Sequence, residues 1–332
     1  EAGNLSAAHS ALAESVQLGV SPRYTALSLF WQGEIAYCEG DYTTAAAKFD
    51  NYLKRAPQNE RESALAQYNL AYCHFQRERM ADAEQGFERF LSTYTRRDGY
   101  RGDALNRLGD AAYSERRFDE AESRYRQAMA VGGSTAHYAA YKRAVTLGIM
   151  GRVSEKQQAL QQIVRSGAGD YCEEAHYELG RTCIAQEKYS EGATYLEQFV
   201  KRYPASSRLT QAYADLGLAY LNLGKRNESL AAYNAVVEKA PRSEEAREAM
   251  QGIRDIYLSD GNAEGYFAYA ERAGMESDLT ALSRDSLSFS AAQSLYLDAS
   301  RKEDAERSLR SYLKSYPKGN YRVDALYYLS SL

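Results

Sequence analysis

The segment that decides the fold is Trp31–Pro57, which reads WQGEIAYCEGDYTTAAAKFDNYLKRAP. Gly33 lies on the first of two predicted helices, Gly40 marks a turn, and Ala45 lies early in the second helix. Two antiparallel helices joined by a short turn approach closely only where both carry small side chains, as Gly33 and Ala45 do. Phe49 follows Ala45 by one turn and fills the remaining space. The segment therefore predicts a tightly packed helix hairpin.

The same hairpin recurs along most of the chain, as in a repeat protein. The small residue early in the second helix marks each copy, and successive markers are 35 to 39 residues apart. The markers are Ala45, Ala83, Ala121, Lys156, Gly192, Ser229, Tyr266 and Ala305. The small residues of the first helices are Gly33, Ala71, Gly109, Ala144, Gly180 and Gly217, and the space-filling residues are Phe49, Phe87, Tyr125, Leu160, Leu196, Tyr233 and Leu309. Because a thin hairpin cannot bury its own apolar face, we expect the copies to stack in a row.

Two markers depart from the pattern. Lys156 and Tyr266 are large, so we expect looser helix packing or a bend of the array at these repeats. The spacing also lengthens between Gly274 and Ser286. The segment 275–285 is therefore the predicted irregular joint.

The five prolines indicate where helices begin and end. Four of them occupy the same repeat position, where the missing N–H stops the second helix: Pro57, Pro204, Pro241 and Pro317. Pro22 follows Ser21, which suits the first turn of a helix behind a serine cap.

The motif resembles the tetratricopeptide repeat consensus. The residues that carry the resemblance are Gly33, Tyr37, the run Gly40–Tyr42, Ala45, Phe49 and Pro57. The resemblance covers nearly the whole chain and implies an all-α fold, a right-handed α-α superhelix of about eight helix pairs. Proteins of this kind bind other proteins or peptides, and we expect the same of this chain.

We expect one solenoid over residues 1–332. Its repeats are predicted at 1–20 (partial), 22–58, 61–97, 101–133, 135–167, 171–205, 207–242, 243–274, 286–318 and 320–332 (partial). Asn4 to Leu18 is predicted as a second helix without its first, and Val323 to Leu332 as the start of a first helix. Because neither end has a polar capping helix, we expect self-association through the ends of the solenoid.

Two segments point to a cellular compartment. Phe199–Pro204 (FVKRYP) and Tyr312–Pro317 (YLKSYP) are similar to repeats of bacterial envelope proteins, namely the tetratricopeptide protein associated with the Tol-Pal system and the repeat lipoprotein of the outer-membrane assembly machinery. The resemblance implies a periplasmic or outer-membrane-associated protein. A cytoplasmic scaffold is the alternative, favoured by four cysteines that we expect to be buried free thiols: Cys38, Cys73, Cys172 and Cys183.

The first helices of such a solenoid line its concave wall, which is the expected binding surface. The predicted partner-binding residues are Phe30, Glu34, Tyr37, Tyr68, Tyr72, Phe75, Asn106, Asp110, Tyr113, Tyr138, Tyr141, Tyr177 and Arg181. Tyrosine combines a large apolar face with one hydrogen-bonding group, as protein-binding surfaces require. We predict that Tyr68, Tyr72 and Tyr113 form the centre. Alternatively, the tyrosines pack between neighbouring first helices and expose only their hydroxyl groups.

Other classes of function find little support. With 41 basic and 45 acidic residues the chain shows no basic stripe for nucleic acid, and no segment is apolar enough for direct membrane insertion. We find no nucleophile with its base and no cofactor motif, and therefore expect neither catalysis nor a cofactor. Cys172 and His176 share a helical face, but this acid-rich segment suits a helix start better than a metal site. Tyrosine faces could also stack on sugar rings, so a glycan- or peptidoglycan-binding module remains an alternative.

Overall fold

The computed structural model describes residues 5–56, 61–167, 169–277 and 279–332. Eighteen α-helices and no β-strand lie within these residues, which confirms the all-helical prediction. The helices group into two compact units, the first ending at Cys172 and the second beginning at Glu173. The prediction of one continuous solenoid stays a prediction.

The first unit alternates first and second helices of the hairpins. Its helices are α1 (Leu5–Leu18), α2 (Pro22–Cys38), α3 (Tyr42–Arg55), α4 (Arg61–Gln76), α5 (Met80–Thr93), α6 (Gly99–Ser114), α7 (Phe118–Val131), α8 (Thr135–Ile149) and α9 (Val153–Ser166). The even-numbered helices are first helices, and the odd-numbered ones are second helices.

The second unit continues the alternation. Its helices are α10 (Cys172–Ala185), α11 (Tyr189–Arg202), α12 (Leu209–Asn222), α13 (Arg226–Lys239), α14 (Glu244–Ser259), α15 (Ala263–Arg272), α16 (Ala281–Leu297), α17 (Lys302–Ser315) and α18 (Arg322–Ser331). Second helices from α3 onward have 14 residues each, except α15, which has 10.

The repeat markers fall in one register in the structure. Each of them is the fourth residue of a second helix, including the large Lys156 and Tyr266. In α2 and α3 a β-carbon added at Gly33 would lie 2.8 Å from Cε1 of Phe49, so only glycine lets this ring pack on the helix backbone. Gly109 and Tyr125 repeat this contact in α6 and α7, and Gly180 repeats it with Leu196 in α10 and α11. In these three hairpins the space-filling residue thus packs on the small residue of its own hairpin.

The turns inside the hairpins from α2–α3 to α14–α15 each contain a residue with a left-handed backbone. Gly40 has φ of 80°, and Asp41 then caps α3 by accepting a hydrogen bond from Thr44 N at 3.0 Å. The equivalent residues of the next six hairpins also have positive φ: Glu78, Arg116, Gly151, Glu187, Gly224 and Gly261. Ser300, the equivalent in α16–α17, does not. Three repeats therefore hold a non-glycine residue in a conformation that glycine adopts with less strain.

Three of the proline positions are confirmed. Pro204, Pro241 and Pro317 each lie two residues beyond the end of a second helix, whereas Pro57 lies outside the described residues. Pro22 begins α2 and Ser21 is its N-cap residue, as predicted, although the Ser21 side chain makes no capping hydrogen bond.

Two further expectations need correction. Cys73, Cys172 and Cys183 are buried free thiols, but Cys38 is exposed because it is the last residue of α2. The helix α16 begins at Ala281, so the predicted joint 275–285 includes its first residues, and the described residues of the connection before it are 273–277, 279 and 280. The first helix of this repeat therefore begins before the predicted residue 286. Thr280 is its N-cap residue, and the Thr280 hydroxyl accepts a hydrogen bond from Ser283 N.

Candidate functional site

An arginine of α6 lies at the centre of the charged and aromatic residues of the first unit. The Arg107 Nη1 atom donates to Asp110 Oδ2 at 2.7 Å, and Nη2 donates to Asp103 Oδ1 at 3.3 Å. Asp103, Arg107 and Asp110 are four and three residues apart, which places them on one face of α6. All three side chains are only partly exposed.

Tyrosines from the neighbouring helices reach the same two carboxylates. The Tyr68 hydroxyl of α4 donates to Asp103 Oδ2 at 2.6 Å, and the Tyr138 hydroxyl of α8 donates to Asp110 Oδ1 at 2.6 Å. Tyr125 of α7 donates to the same Asp110 oxygen at 2.8 Å. Hydrogen bonds to charged acceptors are stronger than neutral ones, so these contacts fix the rings in place.

Aromatic rings cover the guanidinium group of Arg107. Its Cζ atom lies 5.3 Å from the ring centre of Tyr138, 5.8 Å from that of Phe75 and 5.9 Å from that of Tyr72. Lys142 Nζ of α8 lies 4.7 Å from the ring centre of Tyr113 and 3.9 Å from Asp110 Oδ1. We call these residues the Arg107 cluster: Tyr68, Tyr72, Phe75, Asp103, Arg107, Asp110, Tyr113, Tyr125, Tyr138 and Lys142.

The environment fixes the charge state of the cluster. Burial would lower the pKa of Arg107, but the carboxylates of Asp103 and Asp110 outweigh it and raise that pKa. Burial, together with the charge of Asp103, raises the pKa of Tyr68, and burial likewise raises the pKa of Tyr138. At neutral pH the tyrosines are therefore hydroxyl donors, and the guanidinium keeps its charge.

The aromatic surface extends beyond the cluster on both sides. On α2 the ring of Tyr37 packs edge-on against Tyr72, with 6.1 Å between ring centres. On α8 Tyr141 stacks on Tyr171 with 5.4 Å between ring centres. On α2, three residues before Tyr37, Glu34 accepts a hydrogen bond from Asn69 Nδ2, and burial raises the pKa of the Glu34 carboxyl group.

Family comparison identifies the repeat. Two family models, both described as tetratricopeptide repeat, match residues 62–132 and residues 1–60 and 177–241, which together are more than half of the chain. The chain belongs to the tetratricopeptide repeat family. Among curated proteins none matches this tetratricopeptide repeat protein.

Three solved structures illustrate the likeness. PilF of Pseudomonas aeruginosa is 14% identical with a TM-score of 0.49, over 68% of this chain and 97% of that one. YrrB, described as having an unusual peptide-binding site, is 16% identical with a TM-score of 0.49, over 62% of this chain and all of that one. A tetratricopeptide repeat protein from Parabacteroides merdae is 18% identical with a TM-score of 0.48, over 81% of this chain and 98% of that one. At such values these proteins say nothing about the partners of this chain.

Several residues predicted to line the binding wall are not accessible in this tetratricopeptide repeat protein. Phe30 is 3% exposed because its ring packs against Phe49 and Tyr52. Asn106 is 1% exposed and donates to the Thr135 carbonyl at 3.0 Å. The prediction that Phe30 and Asn106 offer a surface to a partner is wrong, because both are core residues.

Tyr177 and Arg181 belong to the second unit and form their own group there. Tyr177 is 1% exposed, and its hydroxyl donates to Asp215 Oδ2 at 3.0 Å. Arg181 Nε lies 3.8 Å from the same oxygen, and the guanidinium of Arg208 covers the Tyr177 ring at 5.4 Å. Tyr177 is thus buried, which corrects its predicted accessibility, whereas Arg181 remains exposed.

Arg107 and Lys142 were missed as site residues by sequence reasoning. The spacing of Asp103, Arg107 and Asp110 was a usable signal, since it places an arginine between two acids on one helical face. Tyr125 was interpreted only as a core residue, although its hydroxyl reaches Asp110. Lys142 had no local signal, because its aromatic and acidic partners come from another helix.

The described residues hold neither a metal-ligand cluster nor a membrane-spanning helix. Cys172 Sγ donates to the Ile163 carbonyl at 3.6 Å, and no group of three or more potential metal ligands occurs in the described ranges. Within those same ranges no helix is long and apolar enough to cross a membrane.

Proposed function

We propose that this protein is a non-catalytic interaction scaffold that binds an extended peptide or a partner helix through the first helices of its first unit. The observation that carries the proposal is the Arg107 cluster, in which side chains from three first helices present rings and charges of both signs together. Interfaces are enriched in tyrosine and arginine, which supports a protein ligand.

The fixed geometry of the cluster favours binding. Tyr72, Phe75 and Tyr113 are partly exposed, and Arg107 or Lys142 lies against their rings. Ordering a flexible side chain costs about 0.5–1.5 kcal/mol on association, and rings that are already held avoid much of this cost.

The proposed centre of the binding surface differs from the predicted one, which included Tyr68. The ring of Tyr68 packs against Phe87 and Phe90, and its hydroxyl is bound to Asp103. The ring of Tyr68 is therefore packed, as in the alternative, but it lies against the second helix α5 and its hydroxyl group is bound rather than exposed. We place the centre at Tyr72 and Tyr113, with Tyr68 as a positioning residue.

Site-specific crosslinking tests the proposal. A photoreactive phenylalanine replaces Tyr72 or Tyr113, and Gln85, exposed on α5, serves as the control position. We expect both test positions to capture the same protein from the native cell and Gln85 to capture none of it. Capture at Gln85 alone would contradict the proposed surface.

Affinity for the captured partner provides the quantitative test. Tyr72→Ala and Tyr113→Ala should each weaken binding about tenfold or more, as expected for central aromatic residues. Tyr24→Ala, on an exposed tyrosine of α2, is the control and should leave affinity unchanged. Unchanged affinity in both test variants would refute the proposal, and binding of purified glycan without any protein partner would favour the alternative module.

We further propose that the scaffold works in a bacterial envelope. Support comes from the resemblance of Phe199–Pro204 and Tyr312–Pro317 to envelope repeats. Fractionation of the native cell with an antibody against this chain tests the location, and recovery in the cytoplasm would refute it. Self-association through the solenoid ends stays a prediction.

A further inference from the structure

The second unit contains a cleft at the place where the repeat pattern fails. In the other hairpins from α2 to α13 the residue twelve positions before the marker is Gly or Ala. In the pair α14–α15 this position is Arg254, and the marker itself is Tyr266. Both side chains line a cleft of about 540 Å³, a size within the range of ligand pockets.

The short helix α15 contributes to the opening. It ends at Arg272 after 10 residues, one turn earlier than the other hairpin second helices. The following segment, including Met275 and Leu279, lines the cleft opposite α14. The side of α14 that a full-length second helix would cover thus faces the cleft.

Arginines supply the charge of the cleft. Arg247 and Arg254 lie on one face of α14, two turns apart, and Arg242 precedes the helix. All three residues line the cleft. No carboxylate is among the described residues that line it. Within the described ranges no acidic residue forms an ion pair with Arg242.

The ion pairs of Arg247 and Arg254 compete only weakly with a ligand carboxylate. Arg247 pairs with Glu244 at 2.5 Å, and Arg254 pairs with Asp255 at 3.1 Å. Both pairs are solvent-exposed, and such pairs contribute about 1 kcal/mol at most. A ligand carboxylate can therefore replace Glu244 or Asp255 with bidentate hydrogen bonds to the guanidinium groups.

The floor of the cleft is apolar and adaptable. Met250 and Tyr266 are buried at its base, and Met275, Leu279 and Leu287 are partly buried around it. Unbranched methionine side chains adjust to ligands of different shape. Gln251 and Ser286 lie at the edge and can bond a peptide backbone.

We propose that this cleft binds an acidic peptide segment that places one apolar side chain on the Met250–Tyr266 floor and its carboxylates on Arg242, Arg247 and Arg254. The site lies in the second unit, and the proposal does not depend on the function assigned to the Arg107 cluster. It gives the chain a second peptide site, selective for negative charge.

Fluorescence anisotropy with short labelled peptides, acetylated and amidated at their ends, tests the ligand chemistry on the whole chain. The probes are Glu-Asp-Leu-Asp-Glu, its neutral counterpart Gln-Asn-Leu-Asn-Gln, and Glu-Asp-Gly-Asp-Glu, which lacks the apolar side chain. We expect the first peptide to bind at least about tenfold more tightly than either of the others. Equal affinity for the acidic and neutral peptides, or no saturable binding of the first, would overturn the proposal.

A matched pair of protein variants tests the location. Arg242→Gln with Arg247→Gln should weaken binding of the acidic peptide about tenfold. Arg307→Gln with Arg310→Gln removes the same charge from exposed arginines of α17 that also pair with acids of their own helix, and neither residue lines the cleft. If the α17 variant loses as much affinity as the cleft variant, binding is nonspecific and the proposed site is wrong.

Discussion

The pairs α12–α13 and α14–α15 occupy the same unit, yet one is closed and the other is open. In α12–α13 the hydroxyl of Ser229 donates to the Gly217 carbonyl at 2.7 Å, a contact that only closely packed helices permit. The Tyr233 ring lies so near Gly217 that an added β-carbon would overlap it. In α14–α15 the equivalents of Gly217 and Ser229 are Arg254 and Tyr266, and a cleft opens there.

The difference shows how few residues decide between a core and a cavity. One small residue on each helix lets the backbones approach, and an aromatic ring from the second helix then fills the space. In α14–α15 two large residues take these positions, α15 is one turn shorter, and Arg254 and Tyr266 both line the cleft. Replacing the small residues of one repeat and shortening its second helix can thus be accompanied by a cleft.

The largest expected effect concerns the closed pair. Gly217→Val should lower the free energy of unfolding by about 3 kcal/mol, because the new side chain overlaps a ring that is also confined by Gly252. Arg254→Val, at the equivalent position of the open pair, should cost no more than about 0.7 kcal/mol, mainly from helix propensity. Urea unfolding followed by circular dichroism measures both. Similar losses in the two variants would contradict the comparison.

A smaller effect is expected in the following pair, α16–α17. Asp285 of α16 is 4% exposed and accepts hydrogen bonds from Tyr312 Oη at 2.6 Å and Asn320 N at 2.8 Å. Asp285→Ala leaves these buried donors without a charged acceptor and should cost about 2 kcal/mol. Asp298 provides the control: it accepts two hydrogen bonds from Ser300 in an exposed turn, and Asp298→Ala should cost no more than about 1 kcal/mol in the same urea titration. A loss below that value for Asp285→Ala would show that α16 is not held in this way.

The smallest effect appears only at high pH. Burial between α12 and α14 raises the pKa of Tyr233 to about 12. An unfolded tyrosine titrates near about pH 10, so the folded state holds this proton more tightly. The contribution of Tyr233 to stability is therefore complete below about pH 10 and is lost as the pH rises towards 12.

Thermal unfolding across this range tests the assignment. The midpoint should fall less steeply with pH in Tyr233→Phe than in the unmodified protein, because the variant lacks the buried phenol. Tyr327→Phe, at an exposed residue of α18, should reproduce the unmodified profile. Identical profiles for all three proteins would contradict the close packing assigned to Tyr233.

Sequence reasoning located part of the proposed binding face. Tyr72, Phe75 and Tyr113 were found because they follow the small residue of each first helix at one and four positions. Phe30 and Asn106 were misplaced because exposure depends on how far the neighbouring helix covers a face, which spacing along one helix does not encode. Arg107 was missed because the aromatic rings that surround its guanidinium group belong to other helices, and the sequence around Arg107 does not show them.

The amino-acid sequence by itself determined the helices, their order and their register: each marker, from Ala45 to Ala305, is the fourth residue of its helix. It did so because helix pairing depends on local side-chain size and on turn residues, both of which repeat visibly along the chain. Only the tertiary structure decided which side chains meet across helices. The carboxylates shared by Arg107 and three tyrosines, and the cleft between Arg254 and Tyr266, arise from the distances between packed helices, because they require atoms far apart in the chain to meet.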